Sequence, residues 1–194
     1  HYDYWSNSIR RSILFDAKAD YLLYGMAEQS VLDLATVLDS GGDTRIVNGL
    51  CSITKEAPEN GAIILPSYEE VVEDKHAFIK MFHTFYANND PITAQRLAQK
   101  HGDRYLIQNP PAAYPNQQQM DSIAGLPYQR AQHPFYEKKG SVKALETIRF
   151  SIITHRGCYG ECNFCAIAVH EGRTVRSRSA ESIRLEAEKM TQHP

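Results

Sequence analysis

The chain has 194 residues, of which 42% are hydrophobic and 23% are charged, and its formal net charge is −2. This length allows one ordinary domain with a core of its own, and the composition is typical of soluble proteins. The nearly balanced charge gives no electrostatic basis for binding nucleic acid or a membrane surface. No apolar run approaches the roughly 18 residues of a membrane-spanning helix, and no signal peptide is recognisable, so a cytoplasmic location is expected.

The first fifty residues predict a βαβ unit. Residues 19–25 are a short apolar run closed by Gly25, which is typical of a strand buried on both faces. Between residues 27 and 39, apolar side chains recur at the spacing of one helix face. Residues 45–50 have the pattern of the next strand. A strand–helix–strand order of this kind normally gives parallel strands with a right-handed connection.

The following segment predicts a strand over residues 62–65 and then one long helix that ends near Ala87. Ser67 and Glu70 form the capping-box pattern at the start of that helix. Aromatic side chains recur on one of its faces, which predicts core packing: Phe78, Phe82 and Phe85.

The middle of the chain changes from regular elements to a proline-rich stretch. The pair Asp90-Pro91 predicts another helix, which Gly102 ends, and residues 104–108 predict a strand. The stretch 109–145 predicts an extended linker with room for a short helix at residues 120–123, since proline blocks both helices and central strands.

A second domain is expected to begin at residue 146. Residues 146–154 are rich in β-branched side chains and predict a strand, and residues 179–192 predict a helix with Ser179 as its N-cap. The basic residues before this helix have the pattern of a solvated charge run, with a polar lid over a neighbouring site as the alternative: His170, Arg173, Arg176 and Arg178. The predicted class is therefore α/β, with an N-terminal domain over residues 1–108 and a strand–loop–helix unit over residues 146–194.

Three of the four cysteines stand between this strand and helix, at the spacing C-x3-C-x2-C: Cys158, Cys162 and Cys165. Cysteine thiolates are the usual protein ligands of iron–sulfur clusters, and one short loop can present three of them to a [4Fe–4S] cluster. Three ligands for four irons leave one iron open to a small molecule. A loop directly after a strand is also where (β/α) barrels carry their active sites.

Other uses of the cysteines stay open. A structural zinc ion could take the three thiolates with His155 or His170 as its fourth ligand, although zinc sites more often use two separated C-x2-C knuckles. A disulfide framework fits the composition less well, and clustered free thiols suit a reducing compartment. Cys51 stands alone and has the pattern of a buried thiol that acts as a small hydrophobe.

The cysteine motif, with Phe164 directly before its last cysteine, resembles the signature of the radical S-adenosylmethionine (SAM) enzymes. Further stretches are similar to the YgiQ-type branch of that superfamily: Tyr24-Gly25-Met26, Leu65-Pro66-Ser67-Tyr68-Glu69-Glu70, Asn109-Pro110-Pro111, Ile148–Ser151, His155–Cys158, His170–Arg173 and Ser177–Ser179. The resemblance therefore covers most of the chain.

The resemblance implies a fold and a set of cofactors. The chain would comprise the end of a Rossmann-like βαβ domain, the linker, and the first βα unit of a partial (β/α)6 radical SAM barrel, so the natural protein would be much longer. Cys158, Cys162 and Cys165 would bind three irons of a [4Fe–4S] cluster whose fourth iron chelates SAM. Phe164 would lie beside the adenine, with simple packing under the loop as the alternative.

The resemblance also implies a reaction, which is reductive cleavage of SAM to a 5′-deoxyadenosyl radical. An external electron donor of the flavodoxin or ferredoxin type would supply the electron. These 194 residues alone are expected to be inactive, because later barrel strands would contribute contacts to SAM. The second functional hypothesis is a structural module that binds zinc or an iron–sulfur cluster without catalysis.

Overall fold

The computed structural model describes residues 2–58 and 61–192 of the chain. The strands are as follows: β1 (Tyr2–Asp3), β2 (Ser8–Ile9), β3 (Tyr21–Leu23), β4 (Leu50–Thr54), β5 (Ile63–Leu65), β6 (Leu97–His101), β7 (Arg104–Gln108), β8 (His155–Arg156) and β9 (Arg176–Ser177). The α-helices are as follows: α1 (Ile13–Ala17), α2 (Glu28–Asp39), α3 (Tyr68–Glu73), α4 (Lys75–Ala87), α5 (Gln117–Ala124), α6 (Leu145–Ile148), α7 (Ile167–Glu171) and α8 (Ala180–Thr191). The predicted α/β class is confirmed.

The chain divides into two compact units. The first unit comprises His1–Tyr114 together with Gly157–Thr174, and the second comprises Pro115–Arg156 together with Val175–Pro194. The segment with the three clustered cysteines therefore belongs to the first unit. Among the described residues, no helix combines the length and the apolar character needed to cross a membrane.

The first unit is built on a five-stranded mixed sheet with the order β3-β4-β7-β6-β5. Only β5 and β6 run parallel, and Leu22 of β3 faces Cys51 of β4 in an antiparallel ladder. The predicted parallel βαβ unit is therefore wrong at this pair. The physical reason is local: residues Thr44–Ile46 form a 3-10 helix instead of a strand, so the chain turns before β4 and runs back along β3.

Helix α2 forms as its sequence pattern predicts, but only part of the predicted apolar face is buried: Leu34 lies in the core, whereas Val31 and Leu38 are exposed. Leu34 of α2 is buried against Val47 and Leu50, and Leu23 and Val37 pack on the same cluster. Strand β3 lies at the edge of the sheet, and its Tyr21 is exposed, so the expectation that this strand is buried on both faces is wrong. An edge position leaves one side of the strand open to solvent.

The predicted helix after residue 66 begins as expected but breaks into two. Ser67 accepts a hydrogen bond from the Glu70 amide, and the Glu70 carboxylate accepts one from the Ser67 amide, which is the predicted capping box. Asp74 then takes an extended conformation and caps α4 through the His76 amide. No residue of α4 is buried and Phe82 is exposed, so the aromatic stripe does not form core packing.

The predicted helix from Asp90 to Gly102 is wrong. Asp90 caps a single turn through the Ile92 amide, and the chain then enters strand β6. Leu97 is 1% exposed and Ala98 is fully buried, because β6 lies between two other strands and both of its faces are covered. In a strand that is buried on both faces, consecutive residues are apolar, and such a run can also fit a buried helix segment. Packing with the rest of the chain decides which of the two structures forms.

The second unit confirms two predicted helices and overturns the predicted strand over residues 146–154. Helix α5 begins with a capping box of Asn116 and Gln119, and Ser179 caps α8 through the Ser182 amide. Residues Leu145–Ile148 form a short helix, and strand pairing begins only at His155–Arg156. β-branched residues favour a strand only where a partner strand is available.

The basic run is also not uniformly solvated. The Arg178 side chain is buried, donates to the Ile153 carbonyl over 2.9 Å and forms an ion pair with Glu186. Arg130 forms an ion pair with the same carboxylate. Arg178 is therefore a buried charge whose guanidinium is paired and hydrogen-bonded, so removal of Glu186 would leave it buried without its counter-charge.

Asn109 joins three segments of the first unit. The side-chain amide of Asn109 donates to the Val47 carbonyl over 2.8 Å, and its side-chain oxygen accepts from Arg96. The backbone amide of Asn109 donates to the Leu50 carbonyl.

Replacing Asn109 by Ala should lower the free energy of unfolding by roughly 1–3 kcal/mol, since buried polar groups lose their partners. Urea denaturation measures this change. Asn48→Ala, at an exposed position, is the matched control, and an equal loss in both variants would contradict the assignment.

His101 should make the stability of this unit pH-dependent. Its ring is buried between Phe15 and Tyr68, and burial lowers its pKa to about 4 from the ordinary value near 6.5. The unfolded chain binds the proton more tightly, so stability should fall as pH drops from about 6.5 to about 4. Urea midpoints across this range should decline less in His101→Phe than in the wild type. Replacing the exposed His83 by Gln should leave the wild-type decline unchanged.

Candidate metal centre

The cysteine loop lies between β8 and α7 and carries three free thiols. Cys158 and Cys165 are half-buried, and Cys162 is exposed. Gly160 stands between the first two: a methyl group placed on it would lie 3.4 Å from the Cys158 sulfur and 3.7 Å from the Cys162 sulfur. These two sulfurs therefore flank the same point of the loop.

Backbone hydrogen bonds fix the start of the loop. The Gly157 amide donates to the Glu171 carboxylate over 2.8 Å, and the Cys158 amide donates to the Gly172 carbonyl over 3.1 Å. Further along, the Cys165 amide donates to the Cys162 carbonyl over 2.9 Å and closes a tight turn. The backbone that carries Cys158 is thus held by the residues that end α7.

Gly157 is required at its position for a steric reason. Its φ is +87°, and an added Cβ would lie 2.3 Å from the carbonyl oxygen of Thr174. Such a distance is far inside van der Waals contact with a backbone atom, which cannot move aside as a side-chain end can. Close packing of the chain against Thr174 is therefore one reason for a glycine at this position.

Tyr114 clamps the other end of the loop to the first unit. An added Cβ on Gly172 would lie 2.2 Å from the Tyr114 ring, so ring and backbone are in direct contact. The Tyr114 hydroxyl donates to the Asp90 carboxylate over 3.1 Å and accepts from the Arg173 amide over 3.3 Å. Sequence patterns did not single out Tyr114, because its partners are 24 and 59 residues away.

A charge pair connects the two sides of the loop. Arg173 forms an ion pair with Glu161, and its guanidinium lies 4.5 Å from the centre of the Tyr86 ring. Glu161 itself stands between the first two cysteines and has a positive φ of 44°. The cationic group therefore lies close to the segment in which thiolates would carry negative charge.

The donor set can be compared with the metals that the sequence suggested. Thiols suit an iron–sulfur cluster or zinc, and all three are free and at least partly accessible. In the part of the chain that the structure describes, however, no three His, Cys, Asp or Glu side chains are gathered closely enough to hold a metal ion. The three cysteines fit a cluster because thiolates are suitable ligands and all three side chains are accessible. Cluster binding would draw the thiols together, as is common where metal binding is coupled to local ordering.

Phe164 does not pack beneath the loop. Its side chain is 92% exposed, and the neighbouring Tyr159 is also largely exposed. The simple packing alternative therefore finds no support, and the contact with adenine stays a prediction.

Cys51 is the buried thiol that the sequence indicated. It is 5% exposed on strand β4, and burial raises its pKa to about 12. A thiol with such a pKa stays protonated at neutral pH and is a poor metal ligand.

Comparison with known proteins identifies the family. The Radical SAM N-terminal family matches residues 1–151, which is most of the chain. The chain belongs to this family. Membership of the radical SAM superfamily, in its YgiQ-type branch, is confirmed by this match together with the relatives described next.

Curated relatives carry the similarity across the cysteine loop. A UPF0313 protein of Fusobacterium nucleatum is 56% identical over 183 residues, which is 94% of this chain and 32% of the relative. UPF0313 proteins of Clostridium botulinum and Clostridium perfringens are 43% and 41% identical, over 98% and 100% of this chain and 30% of each relative. The chain thus spans about a third of the length of these relatives. No solved structure matches it significantly.

Gly157→Ala should disturb the loop more than the backbone strain alone explains. Gly157 and Gly140 both have positive φ, but a Cβ on Gly140 meets nothing within 4 Å. Gly157→Ala should therefore lower the free energy of unfolding by roughly 1–3 kcal/mol more than Gly140→Ala does, which is the usual cost of overpacking. Urea denaturation of the two variants measures the difference. Equal losses of unfolding free energy in the two variants would show that the Thr174 carbonyl does not exclude a side chain at residue 157.

Proposed function

We propose that this chain is the cluster-bearing N-terminal part of a radical SAM enzyme. The observation that carries the proposal is a loop with three free thiols in a chain of the Radical SAM N-terminal family: Cys158, Cys162 and Cys165. Three thiolates are a suitable ligand set for a [4Fe–4S] cluster with one open iron. SAM is the small molecule that the family implies for that iron.

The residues of the loop have separate tasks in this proposal. The three thiolates would hold the cluster, which when bound supplies the electron that cleaves the sulfonium of SAM. Glu171 and the Gly172 carbonyl fix the backbone that carries the first thiolate. Phe164 is exposed and free to stack on the adenine of SAM. Arg173 would offset part of the negative charge of the thiolates.

We extend the proposal to the domains and partners of the full-length protein. A Rossmann-like domain would cover residues 1–108, a linker residues 109–145, and the start of a partial (β/α)6 barrel residues 146–194. The parallel pair β5–β6 supports the α/β character of the first of these domains, whereas the compact units of this chain divide it differently, with Gly157–Thr174 in the first unit. A flavodoxin- or ferredoxin-type protein would be the electron donor, and the reducing cytoplasm would keep the thiols free.

The test is anaerobic reconstitution of the full-length protein with iron and sulfide. The wild type should bind about four irons per chain, develop the iron–sulfur absorption band and change its spectrum when SAM is added. Replacing Cys158, Cys162 or Cys165 by Ala should lower the iron content and abolish the response to SAM, because each removes one ligand. Iron analysis and absorption spectroscopy measure both effects.

Cys51→Ala is the matched control, since it removes a cysteine that is buried in the sheet. Its iron content should equal that of the wild type. Uptake of zinc alone, or a cluster whose spectrum ignores SAM, would contradict the proposal and favour a structural module instead.

A further inference from the structure

Helix α4 carries apolar side chains over a wider arc than packing on one core requires. Apolar residues occupy most of its positions from 77 to 86: Ala77, Phe78, Ile79, Met81, Phe82, Phe85 and Tyr86. At about 100° per residue they span roughly 200° of the helix surface, about twice the width of a stripe that faces one core. A helix with such an arc can pack on two structures at once.

The outer part of this arc is exposed to solvent. Helix α4 packs against α3 and β5 within the first unit, and Met81 and Phe85 are half-buried. Ile79 is 51% exposed and Phe82 is 47% exposed, and no residue of α4 is fully buried. Single exposed apolar residues are common, but a helix that is apolar over most of its circumference is normally enclosed in a larger structure. The first unit therefore covers one side of α4 and leaves the other open.

Three aromatic rings form a row on the open side, which we call the aromatic row: Phe78, Phe82 and Tyr86. The ring centroids of Phe78 and Phe82 lie 6.5 Å apart, and those of Phe82 and Tyr86 lie 5.9 Å apart, with the rings stacked in both pairs. Residues four positions apart are neighbours on one helix face, so all three rings are presented together. Aromatic side chains are enriched in the buried centres of interfaces, so the row has the composition of such a centre.

The aromatic row ends beside the cysteine loop. The Arg173 guanidinium lies 4.5 Å from the centre of the Tyr86 ring, and the same side chain forms an ion pair with Glu161. Glu161 stands in the loop between Cys158 and Cys162. A structure that covers this loop would therefore also reach the end of the aromatic row.

The length of the curated relatives indicates what covers this face. The chain corresponds to 32% of the relative from Fusobacterium nucleatum and to 30% of that from Clostridium botulinum, so most of each relative lies outside the matched part. A segment of the same chain is present at a high effective concentration, which favours it over a free partner. It would also remove from solvent an apolar face that proteins rarely leave open.

We propose that the aromatic row, together with Ile79, is the docking surface for a segment of the full-length protein that these 194 residues do not include. The segment presents an apolar face of its own, because the surface that it meets consists of rings and an aliphatic side chain. The contact holds this segment next to the cysteine loop. The inference goes beyond the proposed function, since it concerns the assembly of the chain and does not depend on which metal the loop binds.

Photo-crosslinking of the full-length protein locates the covering segment. Phe82 is replaced by p-benzoylphenylalanine, which keeps an aromatic ring and reacts on irradiation with C–H groups that it touches. Mass spectrometry should find the cross-linked peptide in the same chain and outside residues 1–194. The matched control carries p-benzoylphenylalanine at Leu32, which is 61% exposed on α2 with Glu28 and Thr36 one turn away, and it should not yield this peptide.

Hydroxyl-radical footprinting measures the coverage of the face without any substitution. Ile79 and Leu32 are both aliphatic and are exposed to similar degrees in the 194 residues, at 51% and 61%. In the full-length protein Ile79 should be modified roughly tenfold more slowly than Leu32, because the centre of an interface is packed like a protein interior and excludes water. Both measurements are made without iron and SAM, so their failure is distinct from failure of the proposed function.

Three results would overturn the proposal. The first is similar modification of Ile79 and Leu32, or no cross-link from residue 82, which would show that the face stays open to solvent. The second is a cross-link from residue 82 to another part of residues 1–194 of the same chain. The third is a cross-link between two chains, detected by mixing unlabelled and isotope-labelled protein, which would assign the face to a second copy.

Discussion

The hydrogen bond from the Cys158 amide to the Gly172 carbonyl closes the cysteine loop, and neighbouring residues hold its two ends in place. Glu171 adds a second bond through the Gly157 amide, and Tyr114 packs on Gly172 so tightly that no Cβ fits. Because Tyr114 also binds Asp90, the loop is tied to the end of α4 and to the sheet beyond it. The first thiol is therefore positioned by backbone contacts with folded elements, whereas Cys162 is left exposed.

Local signals in the sequence predicted local structure well. The capping box at Ser67 and the helix α2 depend on residues three or four positions apart, so their patterns are complete within one turn. Strand partners depend on distant residues. The antiparallel register of Leu22 and Cys51 could not be read from either strand, and the pattern around Leu97 fitted a helix as well as a covered strand.

The candidate site shows the same division. The spacing of the three cysteines was visible because all of them lie on one short loop, and the burial of Cys51 is what is expected of a lone cysteine that acts as a small hydrophobe. The contact of Tyr114 with Gly172 and that of Tyr86 with Arg173 join segments that are far apart in the chain. Such features arise from packing, and a single sequence carries no local pattern for them.

The core of the first unit contains no cysteine of the loop: Leu34, Val47 and Leu50 form it, with Leu97 and Ala98 buried elsewhere in the sheet. In zinc fingers, by contrast, the metal is itself the core and its removal unfolds the chain. Here loss of the proposed cluster would leave this buried core in place, because none of the three loop thiols is part of it. A cluster lost to oxygen could then be rebuilt on the folded chain without a refolding step.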